Sequence, residues 1–519
     1  MKIVGFQSGH DVSYTILENG VPLIHEELER IIRAKEPMGD GLKMFFEQNP
    51  DMGDIKHFSL GNFGGSGGRW ASVCGIPEYQ AKMHEMVAKN GGEYHNLGHH
   101  KSHASNAFFS SNFDEALVIT IDGGGWEDYS TPTAFTVWEG KGNKINPIKF
   151  FPISFCLGCL WTESTTKIFG LSVGHPIGNQ AGTVMGMATL GEPKYVEDIR
   201  VKNYTKLRDI ANKHEQDKFD VAASLQKYTE DTVRKTLEPF ITKYNPKKLC
   251  FSGGVSLNCV MMGKMFDWFP TVEDIYCDPV PYDGGLSLGS ARYVWHHILD
   301  NPRIEWKDQS SSYLGRTYSK DVVLETIEQY KDKCEMSYVS DDEVLEHLHA
   351  QKIVSVFGGG SESGRRALGN RSILADPRHD SMKGVINEKV KHRQWFRPFA
   401  PSILKEYVKD WFVRDIDSPY MSFVLKFKDD MKSKAAAVSH YDGTGRLQTV
   451  TENNNKWYYN FIKKWNEKTN VPILLNTSFN DREPIVETPE NAINCFLKTN
   501  IDYLYFFDYG ILIKKINNG

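Results

Sequence analysis

The 519-residue chain has no apolar run long enough to cross a bilayer. Its longest nearly apolar stretch, Phe150 to Trp161, is interrupted by Pro152 and falls short of the ~20 residues a spanning helix needs. The first residues, Met1-Lys2-Ile3-Val4-Gly5-Phe6, hold no apolar h-region. No signal peptide is expected, and the chain reads as cytoplasmic with no membrane partner. Neither sign of charge is in excess: 61 Lys and Arg face 66 Asp and Glu, a formal net charge of −5. That excludes a globally basic nucleic-acid coat and leaves room for a local basic patch. Cysteine is scarce and scattered, eight residues in all, which argues for reduced thiols rather than a disulfide framework. The one C-x-x-C, Cys156 and Cys159, lacks the second ligand pair of a zinc ribbon and a thioredoxin-like setting. It reads as two more buried thiols. No Walker A pattern is present, no G-x-G-x-x-G follows a strand, and no internal repeat is visible. A P-loop NTPase and a Rossmann dehydrogenase are therefore disfavoured.

What is present is an α/β pattern. Lys2 to Gln7 and Val12 to Leu17 read as strands around a Ser8-to-Asp11 turn, and Asn19-Gly20 signals a hairpin into Val21 to His25. Leu117 to Asp122 and Leu249 to Phe251 are buried-strand patterns that end in acidic or small residues. In open α/β sheets ligands bind at such carboxyl ends. Lys101 to Ser110 and Asp220 to Leu237 read as helices, as do Asp321 to Tyr330 and Asp341 to His349. Ile353 to Phe357 and Pro472 to Leu475 are later strands. The polar stretch Asn301 to Ser312, with Pro302, is a candidate linker, so the chain is divided into domains 1–305 and 306–519.

His99 and His103 are four residues apart, which puts both imidazoles on one helix face, where they can share a metal. Asp122 at a strand end and Asp283 before Gly284-Gly285 are candidate further ligands. The alternative is a solvated histidine-rich helix start. The donor set does not select among Fe, Zn and Mn, and its oxygens lean away from a structural zinc. Glycine turns at Gly123 to Gly125, Gly253-Gly254 and Gly284-Gly285 offer backbone N–H nests and suggest a nucleotide cleft. In the second half, Arg365, Arg366, Arg371, Arg378, Lys391, Arg393 and Arg397 gather between Gly358 and Pro401. Guanidinium forks match phosphate, so a small multiply charged ligand fits better than a duplex. Asn476 to Asn480 adds amide and hydroxyl groups at a strand end, and Arg446 is another candidate contact. The glycine-rich Gly61 to Trp70 is a surface loop or an acceptor loop.

The ordered motifs carry a family resemblance. They are Gly9-His10-Asp11-x-Ser13, Glu29-Arg30, His99-His100-x-x-His103-Ala104, Ile121-Asp122-Gly123, Gly253-Gly254-Val255-x-Leu257-Asn258 and Asp283-Gly284-Gly285. Then come Arg366-Ala367-Leu368-Gly369-Asn370-Arg371-Ser372, Arg397-Pro398-Phe399-Ala400-Pro401, Asp442-Gly443-Thr444-x-Arg446 and Asn476-Thr477-Ser478-Phe479-Asn480. Nearly end to end, the chain resembles the O-carbamoyltransferases of nodulation factors, cephems and aminoglycosides. The resemblance implies an actin-like (ASKHA) duplicated α/β domain followed by a YrdC-like α/β domain. It implies carbamoyl phosphate and ATP as substrates, a carbamoyl-adenylate intermediate, and transfer to a hydroxyl-bearing acceptor: a small molecule, sugar or modified nucleoside. A divalent metal, iron first among Fe, Mg, Mn and Zn, would be held by His99, His103, Asp122 and Asp283. Gly123, Gly124, Gly253, Gly254, Asn258 and Gly284 would bind the nucleotide. Arg366, Arg371, Lys391, Arg393, Arg397, Asn476 and Ser478 would bind carbamoyl phosphate, and His10 with Asp11 would be catalytic. Nucleic acid enters only as an acceptor, and a homodimer is open. The competing readings are a tRNA threonylcarbamoyl-type enzyme, carbamoylation of a hydroxymethyl base in DNA, and a non-enzymatic nucleotide-binding regulator. Two positions depart from the family pattern: Arg365 replaces its usual Pro, and Ala181 to Ala188 lacks the usual Glu-Gly-Lys.

Overall fold

The computed structural model describes residues 1–62, 75–127, 132–304 and 311–516. Most of the glycine-rich loop, the middle of the polar linker stretch and Cys74 lie outside the described residues. The chain divides into two compact units, Met1–Trp306 and Lys307–Gly519.

The first unit opens with β1 (Lys2–Gln7), β2 (Ser13–Glu18) and β3 (Val21–Glu27), then β4 (Ile55–Leu60) and β5 (Glu93–Asn96). Asn19 and Gly20 both have positive φ, 49° and 87°, the backbone a two-residue hairpin loop of type I′ requires. The sheet order is β3-β2-β1-β4-β5, with β1, β2 and β3 antiparallel and β1, β4 and β5 parallel. The next five strands are β6 (Glu115–Trp126), β7 (Pro132–Lys141), β8 (Lys144–Pro152), β9 (Lys248–Ser252) and β10 (Asp274–Cys277). They form the order β10-β9-β6-β7-β8 with the same directions. Read as first, second and third strand, the two sheets have one topology. The repeat that is invisible in the sequence is therefore a repeat of fold, the duplicated actin-like arrangement.

Among the described residues, apolar clusters lie against both sheets of this unit. Val4, Tyr14, Phe45 and Phe58 pack under the first sheet, and Phe108, Phe109, Trp138 and Trp295 pack by the second. Aromatic side chains carry large buried areas, so each cluster is a substantial core. The helix His99–Ser110 is buried at every position except Lys101 and packs on β6, β9 and the helix Leu286–Arg292. The helix expected over Asp220 to Leu237 runs from Glu215 to Tyr244 and stops at Asn245, whose φ is 43°.

The second unit is α/β around one nine-stranded mixed sheet. Its strands are β11 (Cys334–Tyr338), β12 (Val354–Phe357), β13 (Arg371–Ala375), β14 (Ala400–Leu404), β15 (Phe423–Lys426), β16 (Thr444–Val450), β17 (Ile473–Ser478), β18 (Tyr503–Phe506) and β19 (Ile511–Lys515). The order is β11-β19-β18-β12-β13-β17-β14-β16-β15. Helix Lys456–Thr469 turns Tyr458, Phe461, Ile462 and Trp465 onto its core.

One expectation is corrected here. Cys156 and Cys159 are joined by a disulfide, with Cα atoms 5.3 Å apart. Cys156 is the N-cap of helix Leu157–Lys167, and the i,i+3 spacing brings both sulfurs to one side of the helix end. Cys250, Cys259, Cys277, Cys334 and Cys495 are buried outside this bridge.

Candidate functional site

Helix His99–Ser110 starts just beyond β5. The rings of His99 and His103 lie 4.7 Å apart between centroids. A register break between Ile121 and Gly125 of β6 releases Asp122 from the ladder, and the turn Asp283–Gly285 presents Asp283. His99 Nε2 is 2.8 Å from Asp122 Oδ2, and His103 Nε2 is 3.4 Å from Asp283 Oδ1. One ligand atom from each of these four residues lies within 4.8 Å of every other.

Neighbours fix the orientation. Ser252 Oγ pairs with His103 Nδ1 at 3.2 Å, which turns Nε2 toward the carboxylates. The Gly254 N–H donates to Asp122 Oδ1 at 2.9 Å. Glu127 accepts from the backbone N–H groups of His100 and Lys101 and so caps the helix. Burial opposes charge on Asp122, but His103 and His99 outweigh it and hold the carboxyl well below its ordinary range. Burial likewise opposes charge on His103, and Asp122 and Asp283 raise its pKa to about 9. His100 differs: burial, then His99 and His103, push it down to about 3. It pairs with Thr120 Oγ1 at 2.6 Å and the Thr133 carbonyl at 2.9 Å, so it is a core residue. His103 Nε2 is buried and makes no hydrogen bond. Two imidazole nitrogens and two carboxylate oxygens around one point, with outer partners in place, suit a divalent cation.

His10 stands over this cluster. Its Nδ1 is 3.0 Å from Asp11 Oδ2, its Nε2 is 3.4 Å from Asp283 Oδ2, and half of its ring surface is open. Asp11 holds a positive φ of 51°, a conformation Asp tolerates, and so orients its sequence neighbour. Enclosure by protein opposes the His10 charge, yet Asp283 and then Asp11 outweigh it and raise its pKa to about 10.

The residues expected at a nucleotide make bonds within the chain. The Gly253 N–H donates to the Pro281 carbonyl at 2.6 Å, and that of Gly254 is taken by Asp122. Neither is left as an anion nest. Asn258 caps helix Cys259–Trp268 through the Met261 N–H and exchanges bonds of 2.8 and 3.1 Å with Gln226. The Gly284 carbonyl accepts from Ser13 Oγ at 2.7 Å. Gly123 remains exposed beside Gly124, and a Cβ at Gly123 would meet nothing.

The second unit sorts the basic residues in the same way. Arg371 is fully buried. Its guanidinium donates to the carbonyls of Gly358 (2.6 Å) and Asn370 (3.0 Å) and lies 3.6 Å from the centre of the Phe357 ring. Lys391 donates to the Ser478 and Asn480 carbonyls, both at 2.7 Å. The Ser478 hydroxyl donates to Asn480 Oδ1 at 2.8 Å, and the Asn476 amide ties Ala367, Ser402 and Gln448 together. These four residues, expected at carbamoyl phosphate, thus bond to buried loops of the unit. Arg393 also bonds to the framework, its Nε donating to Asn387 Oδ1 at 2.7 Å, and like charges stand near it. Burial, then Arg397 and Arg446, holds Arg393 well below the usual arginine range. Burial and then Arg446 lower Arg397 to about 10. Arg446 Nε is buried without a hydrogen bond. Three like charges are thus held near one another inside the unit. Arg366 lies half-buried on the adjoining Gly364–Gly369 loop. Sequence reasoning missed the residue that shapes that loop. Glu362 accepts from the N–H groups of Leu368, Asn370 and Arg371 at 2.8, 2.8 and 3.1 Å, and a lone Glu gives no sequence signal for this. Ser252 and Glu127 were missed for the same reason.

The duplicated sheet and the clustered sites define an actin-like α/β protein carrying a second α/β unit. The chain belongs to the carbamoyltransferase family. The family model "Carbamoyltransferase N-terminus" matches residues 77–209 and 195–292, and "Carbamoyltransferase C-terminus" matches residues 345–514. It is similar to nodulation protein NolO of Bradyrhizobium diazoefficiens, 33% identical over 79% of this chain and 77% of that protein. It is also similar to nodulation protein NolNO of Sinorhizobium fredii, 35% identical over 81% of this chain and 64% of that one. Among solved structures, HypF of T. kodakarensis aligns at 11% identity over 58% of this chain and 48% of its own, with a TM-score of 0.39. The chain is an enzyme of the carbamoyl-transfer class.

Proposed function

We propose that the chain is an ATP-dependent O-carbamoyltransferase that forms carbamoyl-adenylate and passes its carbamoyl group to an acceptor hydroxyl. In balance, carbamoyl phosphate, ATP and water give carbamoyl-adenylate, phosphate and pyrophosphate. The acceptor hydroxyl then attacks the carbamoyl carbon, AMP leaves, and a carbamate ester remains. The observation that carries this reading is the pairing of two buried charge sites of opposite character, one in each unit. In unit two, Arg393, Arg397 and Arg446 are a preformed positive cluster, and they offset phosphate charge during adenylation. Arg366 extends it. In unit one, His99, His103, Asp122 and Asp283 hold a divalent cation. When bound, that cation supplies positive charge against the phosphate of a departing AMP. Gly123 and Gly124 leave room for the nucleotide beside Asp122. His10, aligned by Asp11 and half open, is the side chain an arriving hydroxyl meets.

The test is ATP–pyrophosphate exchange that depends on carbamoyl phosphate, with mass spectrometry for a carbamoyl in place of one hydrogen on an acceptor. Arg397→Met should abolish the exchange. His99→Ala with His103→Ala should keep it, lose the bound divalent cation by elemental analysis, and lose transfer. Transfer by the double variant would sink the role given to the cluster.

A further inference from the structure

The Cys156–Cys159 bridge takes no part in the reaction proposed above, yet it is built against the ligand loop. Cys156 is the N-cap of helix Leu157–Lys167, and its Sγ accepts from the Cys159 N–H at 2.8 Å. Both sulfurs lie 3.0 Å from the Gly123 carbonyl oxygen, and Cys156 Sγ is 3.8 Å from that of Asp122. Asp122 and Gly123 fall in the register break of β6, so what packs against them fixes their place more than a strand ladder does. The helix start leaves no slack there: a Cβ on Gly158 would stand 2.5 Å from Gly123 N.

A bridge exchanges with an external dithiol only where one of its sulfurs can be reached. Cys156 is buried, whereas Cys159 is half-buried, on the first turn after the exposed segment Pro152 to Phe155. The other described cysteines are buried. Attack therefore falls on Cys159. In the first step the incoming thiolate forms a mixed disulfide with Cys159 Sγ. The Cys156 sulfur leaves with the bonding pair, beside the Cys159 N–H, and takes up a proton. In the second step the other thiol of the reductant attacks the reductant's own sulfur in the mixed disulfide, and Cys159 leaves and is protonated. In balance, one dithiol is oxidised to a disulfide, and the bridge gains two electrons and two protons.

The two states meet the ligand loop differently. In the dithiol each sulfur carries a hydrogen, and the Gly123 carbonyl has two lone pairs to accept them. In the bridge neither sulfur has a hydrogen, and sulfur lone pairs face the same oxygen at 3.0 Å. Two weak donors on one carbonyl are together comparable to one ordinary hydrogen bond. Asp122 is the next residue in the chain. Its Oδ1 is tied to the Gly254 N–H at 2.9 Å and its Oδ2 stands 2.8 Å from His99 Nε2. A shift at Gly123 is therefore passed to a carboxylate whose exact place decides how well a cation fits.

We propose that Cys156 and Cys159 are a thiol–disulfide modification site that tunes the His/Asp cluster, the dithiol form holding a divalent cation more tightly than the bridged form. The proposal rests on the cation reading of that cluster and not on the adenylate chemistry. In the test the full chain is treated with dithiothreitol or with its cyclic disulfide, then freed of reagent by gel filtration under argon. Alkylation and mass spectrometry count the thiols at Cys156 and Cys159. Titration with Mn²⁺, read by electron paramagnetic resonance, gives the affinity without turnover. The dithiol form should bind about tenfold more tightly. Cys156→Ser with Cys159→Ser keeps two donors and cannot bridge, so it should bind like the dithiol form after either treatment. Equal affinity in the two forms, or tighter binding by the bridged form, overturns the proposal. So does a bridge that the dithiol leaves intact in the folded protein, or a dependence on treatment that persists in the double variant. Circular dichroism reports the fold of that variant, and the two states of the unaltered chain decide the matter by themselves. No Mn²⁺ bound in either state overturns the cation reading, and the proposal with it.

Discussion

At the residue scale, the arginines show how alike in sequence and unlike in role two side chains can be. Arg371 and Arg397 both sit in glycine- and proline-flanked motifs. Arg371 is spent on buried carbonyls, so Arg371→Met strands them, at about 1–3 kcal/mol for each unpaired group. That variant should lower the unfolding midpoint in urea by about 3 kcal/mol of stability. Arg397→Lys, by contrast, should raise the KM for carbamoyl phosphate with little change in that midpoint. The reverse pattern would exchange the roles. Composition marked both residues as phosphate ligands, because a guanidinium's partner is decided by chain segments far apart in sequence.

His296 offers a cleaner pH experiment than the His/Asp cluster. It is 3% exposed, pairs through Nδ1 with the Asn301 carbonyl at 3.2 Å and packs on Phe109. Burial lowers its pKa from 6.5 to about 4. Between those values the unfolded chain binds a proton that the folded chain does not. Stability therefore falls as the pH drops through this window, by roughly 3 kcal/mol in all, and is unaffected by this group above pH 6.5. His296→Phe should flatten the difference in urea stability measured at pH 7 and pH 4.5. An equally steep dependence in the variant would remove His296 as a source.

At the scale of elements, the strands were legible because buried runs ended in turn residues, as at Asp122 and Ser252. The histidine pair was legible because helical spacing alone puts His99 and His103 on one face. The Cys156–Cys159 bridge was not, since scarce cysteine outweighed a motif whose meaning depends on what the helix end touches. It touches the ligand loop: both sulfurs lie 3.0 Å from the Gly123 carbonyl oxygen. Gly158 permits that approach. A Cβ there would stand 2.5 Å from Gly123 N and 2.8 Å from the Asp122 carbonyl carbon. Gly158→Ala should therefore cost about 1–3 kcal/mol and weaken retention of a divalent cation, read by titration with Mn²⁺. Unchanged affinity would show that the loop does not transmit the shift.

At the scale of the whole molecule, the two units have separate cores, with Phe108 and Trp138 in one and Tyr458 and Trp465 in the other. Calorimetry should resolve two transitions. Gly158→Ala should move one and Arg371→Met the other, and a single transition displaced by both variants would contradict independent cores. By itself the sequence determined the α/β character, the acidic and small residues at strand ends and the family, because these rest on local periodicity and on motifs read in order. Tertiary structure alone decided the fold repeat, the bridge at the helix end, and the buried partners of the basic and amide groups. Whether a buried polar group is framework or site depends on which partners folding brings to it, and those partners are distant in the chain.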